Sequence, residues 1–366
     1  MSAGPAPQVD ARVDVLIVGQ GLAGSCLGWA LEERGLSFHL VDPGPAAGPA
    51  SSRLAAGLVT PLTGPRLTVN WRLEQLVPVA DAFYRRTEAG LGATFWRSLE
   101  IVRLLLDPGL RAIWDKRSRQ AAAARVSRVL PGPLVNPEGA AAPHGALVMP
   151  GWQLDCPGWL EASRRRWQQA GRLTEAMVDP ADLDLRDDGA AWRGHRATTV
   201  VWCTGAALQA APWFSAVTCR HQVGDVLLLE PMPALGDRVI NGGAWLLADR
   251  DATGQPVVRA GATYFDTARG VPSPPEARAQ LLARLARLGL ELSAVRQQQR
   301  AVRPVIAGMK VVSGPVPGVP RLAWLNGFGS KGVLKAPHFA RNLAAHLDPR
   351  QRAAIDPDAV LPEHGW

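Results

Sequence analysis

Three glycines set between an apolar run and an amphipathic run constrain this chain more than any other feature. Residues 13–18 read "VDVLIV", a β-branched and continuously apolar stretch of the kind buried on both faces of a sheet. Gly19, Gly21 and Gly24 follow. After them "SCLGWALEERG" places Leu27, Ala30 and Leu31 on one helical face, with Gly35 suited to the end of the helix. "LSFHLVD" then predicts a second strand that ends at Asp42. This is a βαβ unit, and each glycine has a physical task. Gly19 permits the tight turn out of the strand, Gly21 lets backbone approach a pyrophosphate, and Gly24 lets the helix sit close to the sheet. Gly21, Leu22, Ala23 and Gly24 would present free amides and the positive end of the helix to phosphate groups. Asp42 is placed to accept from ribose hydroxyls. The turn alone fits NAD and FAD equally.

The rest of the composition narrows the class. A chain of 366 residues is long enough for two domains and a large buried ligand. No run approaches the ~20 apolar residues of a membrane-crossing helix. The opening "MSAGPAPQVDAR" has no basic region followed by an apolar core, so the expected location is cytoplasmic. Cys26, Cys156, Cys203 and Cys219 lie far apart with no CxxC pair, which argues against a metal site and for reduced thiols. The net charge of +8 comes mostly from scattered arginines, with "SRRRW" (163–167) the densest cluster, expected on a solvated helix face. No Ser-His-Asp order, HExxH or paired-carboxylate pattern supports a hydrolase.

Beyond Asp42 the chain departs from a nicotinamide dehydrogenase. "PASSRLAAGLVTPLTG" resembles the SSxxAAG loop of the D-amino acid oxidase superfamily of FAD enzymes, which includes glycine oxidase, sarcosine oxidase and the oxidase domain of the tRNA wobble-uridine enzyme MnmC. Ser51, Ser52, Arg53, Ala55, Ala56 and Gly57 occupy the matching positions, and small residues suit close approach to a flat ring system. "ATTVVWCTGAAL" resembles the family's late strand and turn, which nominates Thr204 and Gly205 for the phosphates. "GRLTEAMVD" resembles the strand that brackets the adenine and nominates Val178. "LAWLNGFGSKGVLKAPHFARNLAAHL" resembles the closing segment, where Gly327, Gly329, Ser330, Lys331 and Gly332 would meet the flavin's pyrimidine edge before a helix over 336–347.

The resemblance implies an α/β (α+β composite) fold. A Rossmann-like FAD-binding domain built from 13–66, 153–218 and 305–350 would be interleaved with a mostly antiparallel-sheet substrate domain, 67–152 and 219–304. Residues 1–12 and 351–366 are expected as flexible termini. In the second domain "VGDVLLLE" reads as a strand, and "AWLLAD" and "VVRAGATYFD" read as a hairpin about "RDATGQP". "PSPPEARAQLLARLARLGLEL" reads as a helix capped near Ser273.

The resemblance further assigns Arg303, in "AVRP", to a substrate carboxylate and Tyr264 to the flavin's substrate face. A structural ion pair is the alternative for Arg303, and a packed core ring for Tyr264. Leu58 would form an apolar wall and His221 would lie near the pocket. The implied activity is oxidation of a small amine or amino acid to an imine with non-covalent FAD. Oxygen or another acceptor would take the electrons, and hydrogen peroxide would form with oxygen. Two alternatives are a tRNA wobble-uridine oxidoreductase, with tRNA as partner, and a non-catalytic flavin-binding or electron-transfer subunit.

Overall fold

Val15 to Val18 have almost no exposure, as a strand walled on both faces requires. They belong to β1 (Val13–Val18), which leads through the glycine turn into α1 (Leu22–Glu33) and then β2 (Phe38–Asp42). A computed structural model describes residues 12–48, 50–136, 139–215, 217–251 and 253–360. They fall into two compact units, one from the described parts of Met1–Ala50, Leu160–Arg220 and Pro304–Trp366, the other from Ser51–Trp159 and His221–Arg303.

In the first unit β1 pairs in parallel with β2 on one side and with His195–Trp202 on the other. His195–Trp202 pairs in parallel with Leu322–Asn326, and Leu173–Glu175 extends the sheet beyond β2. A core of Leu16, Trp202, Phe214, Ile306 and Trp324 lies against this sheet. α1 and the C-terminal helix Gly332–Leu347 pack together. Gly28 lets the Trp167 ring lie over α1, since a Cβ there would sit 3.0 Å from the indole.

The second unit is built on a sheet in the order Phe265–Asp266, Cys219–Leu229, Pro256–Gly261, Trp245–Arg250, Arg238–Asn241, Trp96–Leu104, Ala146–Leu154, Leu58–Val59. Its neighbours are antiparallel except Arg238–Asn241 with Trp96–Leu104. The expected hairpin is there: Trp245–Arg250 pairs antiparallel with Pro256–Gly261. Helix Pro274–Ala286 buries Leu281 and Leu285 against the sheet core and starts with a capping box between Ser273 and Glu276. The mixed α/β class read from the sequence is the fold observed.

Three expectations meet a different arrangement. Residues 51–66 and 153–159 group with the second unit, because Leu58 and Val59 pair with Gln153 and Trp152, and Leu62 and Leu67 enter that unit's core. Residues 351–360, expected as part of a flexible tail, pack back instead. Asp356 accepts from His338 Nε2 at 2.6 Å, and Ala359–Val360 pairs in parallel with Val311–Pro315. Residues 1–11 and 361–366 of the expected termini lie outside the described residues. The third concerns "SRRRW": Ser163, Arg164 and Trp167 are buried, and only Arg165 and Arg166 face solvent.

Candidate functional site

In the first unit the glycine turn is fixed by backbone. Gly19 donates to the Val41 carbonyl at 2.8 Å and has φ +101, a region that suits glycine. A Cβ on Gly19 would fall 2.7 Å from the Cys203 carbonyl oxygen, and one on Gly24 would run into the carbonyl of Gly19. Gly21 differs: it is the N-cap of α1 with φ −81 and ψ −166, extended backbone open to any residue. No side chain caps the helix there. The C-terminal helix likewise starts at Lys331 without a side-chain cap.

Uncapped helix starts alone do not mark a ligand, since helix Leu73–Leu91 also begins without one at Arg72. The decisive observation is the Thr204 hydroxyl. It sits on the turn beside Gly19, buried and with no hydrogen-bond partner, so the turn is polar, closed to water and incomplete. Gly205 follows at φ +59, its carbonyl accepting from Asn326 Nδ2 at 3.0 Å. Gly327 at φ +84 would put a Cβ 2.6 Å from Ile306, and Gly329 is also left-handed, at φ +54. Gly332 lies against Leu22, where a Cβ would fall only 2.7 Å from the Leu22 side chain. Ser330 and Lys331 stand at the start of the helix. Burial, then the neighbouring Lys335 ammonium, pull Lys331 down to about 8. These residues suit a long ligand with phosphate groups, as FAD is.

Asp42 is more occupied than the sequence implied. Its Oδ2 accepts from the Gln20 amide at 2.7 Å, and its Oδ1 accepts from the Gly44 amide at 2.9 Å and from Arg164 Nη1 at 2.8 Å. One acceptor position on Oδ2 is thus left for a ribose hydroxyl. Arg164 is the residue the sequence reading missed. Only 3% of its side chain is exposed, and it also reaches Glu175 at 2.7 Å and Gln20 Oε1 at 3.2 Å. Its signal was helical spacing, because Leu160, Ser163, Arg164 and Trp167 recur at one-turn intervals along Cys156–Gln169. Val178 lies beyond the strand Leu173–Glu175 and is buried in the first unit's core.

In the second unit, Ser51, Ser52 and Arg53 form the short helix Ser51–Leu54. Ala55, Ala56 and Gly57 follow outside any helix or strand, Gly57 with left-handed backbone at φ +72. Gln153 Nε2 donates to the Ala56 carbonyl at 3.2 Å, and a Cβ on Gly57 would collide with Leu154 backbone. Leu58 is half-buried beside the core that holds Ile101 and Met149. His221 is half-buried on Cys219–Leu229, and its Nε2 is buried without a partner.

Arg303 and Tyr264 come together. The guanidinium carbon lies 4.5 Å from the Tyr264 ring centroid, and Nη1 donates to the Thr263 carbonyl at 3.3 Å. Tyr264 is 53% exposed, which overturns the core alternative for it. Arg303 is half-buried and makes no ion pair among the described residues. A buried or half-buried arginine with no carboxylate beside it is primed for an anionic ligand.

Among the described residues no cluster of three or more His, Cys, Asp or Glu side chains gathers to hold a metal, and no helix is long and apolar enough to cross a membrane. The family model described as "DAO: FAD dependent oxidoreductase" matches residues 14–346. Among solved structures, the chain is similar to glycine oxidase from Geobacillus kaustophilus, with 20% identity, a TM-score of 0.77 and coverage of 97% of this chain and 100% of that one. It is similar to glycine oxidase from Bacillus cereus at 19% identity and TM-score 0.76, over 93% and 96% of the two chains. Iminodiacetate oxidase from Chelativorans sp. BNC1 matches at 20% identity and TM-score 0.71, over 94% and 97%. At these identities the likeness is one of fold.

Proposed function

The chain belongs to the FAD-dependent oxidoreductase family whose model spans residues 14–346, and on that premise we propose that it oxidises a small amino acid, or another small primary or secondary amine, to an imine. When bound, FAD supplies the acceptor for the hydride that leaves the carbon next to nitrogen. The chain's own residues bind, orient and exclude water. The turn at Gly19, Gly21, Leu22, Ala23 and Gly24, with Thr204 and Gly205, takes the phosphates; Asp42 takes a ribose hydroxyl. Ser51, Ser52, Arg53, Ala55, Ala56 and Gly57 line the cofactor, as do Gly327, Gly329, Ser330, Lys331 and Gly332. Val178 lies at the adenine.

Arg303 binds the substrate carboxylate, Tyr264 covers it, and Leu58 and His221 line the pocket. A half-buried guanidinium facing an exposed tyrosine ring, with no acidic partner among the described residues, is the observation that carries this reading. The solved structures it resembles support it too, since those named above are two glycine oxidases and an iminodiacetate oxidase.

FAD is proposed to be non-covalent. Cys26, Cys156 and Cys203 are buried, and burial pushes the Cys156 and Cys203 thiols far up, so neither offers a thiolate for a flavin link. All four cysteines are free, in keeping with a reducing compartment such as the cytoplasm. The electron acceptor is proposed to be oxygen, with hydrogen peroxide as product. The tRNA alternative rests on the resemblance to the MnmC oxidase domain, which the net charge of +8 favours only mildly, since arginines such as Arg111, Arg125, Arg193, Arg238 and Arg296 are paired with carboxylates and form no bare basic run.

The test is anaerobic mixing of the purified holoenzyme with a panel of amines and amino acids while the flavin absorbance is followed. Bleaching by one or more of them, with imine formed, is the expected result. If dithionite bleaches the flavin and no amine does, the non-catalytic reading replaces this one.

A further inference from the structure

Two arginines stand three residues apart on the strand Val295–Ile306, and the structure treats them oppositely. Arg300 is consumed. Its Nε donates to Asp225 Oδ1 at 2.9 Å and its Nη2 to Asp225 Oδ2 at 3.2 Å, a two-pronged ion pair. Arg303 has only the Thr263 carbonyl and the Tyr264 ring.

The carboxylate between them has no exposure, and both of its oxygens are saturated. Oδ1 also accepts from Gln298 Nε2 at 2.7 Å, and Oδ2 also accepts from the Thr263 hydroxyl at 2.9 Å. Thr263 is itself fully buried and is bound to Asp225 twice more. Its hydroxyl accepts from the Asp225 amide at 2.7 Å, and its own amide donates to the Asp225 carbonyl at 3.2 Å. Three hydrogen bonds between two buried residues fix the Thr263 backbone, and the carbonyl of that residue is the one Arg303 leans on. The preceding residue, Gly224, gives the guanidinium its room. A Cβ on Gly224 would fall 2.5 Å from the Arg303 guanidinium carbon.

We propose that Gly224, Asp225 and Thr263 are positioning residues that hold the Arg303 guanidinium beside Tyr264 for a ligand carboxylate, so that the enzyme selects amines that carry one. Arg300 neutralises Asp225 and Gln298 satisfies it with a hydrogen bond, so that a charge can be buried there without competing for Arg303. This deepens the amine-oxidase reading and rests on it for the reaction, but the platform itself can be tested by binding alone.

The experiment uses FAD-loaded protein with Thr263→Val, Thr263→Ser and Gly224→Ala. Acetate and benzoate are titrated, and binding is followed calorimetrically and by the change in the flavin spectrum. Thr263→Val and Gly224→Ala are expected to weaken both carboxylates by about 10- to 100-fold, the scale of a 1 Å misplacement. Thr263→Ser, which keeps the hydroxyl, is expected to bind as the wild type does. The kinetic counterpart compares glycine with methylamine and proline with pyrrolidine. KM should rise for the carboxylate member of each pair and kcat should hold, with the carboxylate-free member unchanged.

Equal losses for both members, unchanged carboxylate affinity in both Thr263→Val and Gly224→Ala, or a wild type that binds neither carboxylate would overturn the proposal. If Thr263→Val does not fold, Gly224→Ala decides, because it removes no hydrogen bond. Weakened carboxylate binding in the variants of a protein that oxidises no amine would support the platform and sink the amine-oxidase reading instead.

Discussion

The turn after β1 and the strands around Arg303 are built in opposite ways. The turn is local. Its shape comes from glycines a few residues apart, a β-branched strand before them and a helix start behind them, and the tightest contacts at Gly19 and Gly24 are with backbone carbonyls. The Arg303 platform is made of side chains from segments far apart in sequence, Gly224–Asp225, Thr263–Tyr264 and Gln298–Arg303, joined by hydrogen bonds across strands. A cofactor with constant chemistry can be met by a fixed backbone motif. A substrate that differs between relatives is met by side chains, which can be exchanged without rebuilding the sheet.

The strongest break of this comparison separates two glycines of the same turn. Gly24→Val places side-chain atoms on the Gly19 carbonyl and is expected to destabilise the fold by about 3 kcal/mol or more, seen as a fall in Tm or loss of soluble protein. Gly21→Val should leave the protein folded, since its backbone is extended, yet strip it of FAD. A folded, colourless Gly21→Val protein is the signature; a yellow one would show that the pyrophosphate does not pass there.

Arg303→Ala should raise KM for a carboxylate substrate by the equivalent of about 2–5 kcal/mol, because a desolvated charge on the ligand loses its partner. Arg303→Lys should recover only part of this, since an ammonium lacks the planar fork. An unchanged KM in Arg303→Ala would return that arginine to a structural role.

A smaller effect comes from Lys331, whose ammonium is held at about 8 by burial. An electron-rich ligand edge favours the charged form, so FAD affinity should fall as pH rises through about 8. Lys331→Met should flatten that profile. The stability of the apoprotein runs the other way. Between about 8 and the ordinary lysine value the unfolded chain binds the extra proton, so stability gains with rising pH in that window.

The smallest expected effect lies outside both regions. His39 stacks on His195 with ring centroids 4.0 Å apart, and burial followed by the His195 charge lowers it to about 4. Its folded value is depressed, so stability is complete above the ordinary histidine range and drains away as pH falls toward 4. His39→Gln should blunt the acid slope of Tm while leaving FAD content unchanged.

What the sequence made legible follows the same division. β1, α1 and β2 could be read directly, because strand period, helix face and glycine spacing are all local signals. So could helix Pro274–Ala286, whose Ser273 and Glu276 spell out a capping box. Arg164 escaped notice because a run of three arginines looks like solvent-facing charge, and only a count around the helix shows that one of them points inward. Asp225 and Thr263 escaped for a deeper reason. Nothing near either residue in sequence marks it, and their pairing exists only once Cys219–Leu229 and Pro256–Gly261 lie side by side. Residues 51–66 were assigned by resemblance to the FAD-binding domain, but short strands and apolar side chains tie them to the second unit's sheet.

The order of strands in the first unit has a consequence for synthesis on the ribosome. β1 lies between β2 and His195–Trp202, and that strand in turn awaits Leu322–Asn326. β2 is made soon after β1, but an emerging chain carries the other edge of β1 unpaired until His195–Trp202 has been made. Such sheets form late and expose sticky edges meanwhile. Low temperature, slow induction and chaperone supply should raise the yield of this protein more than any change to its finished surface.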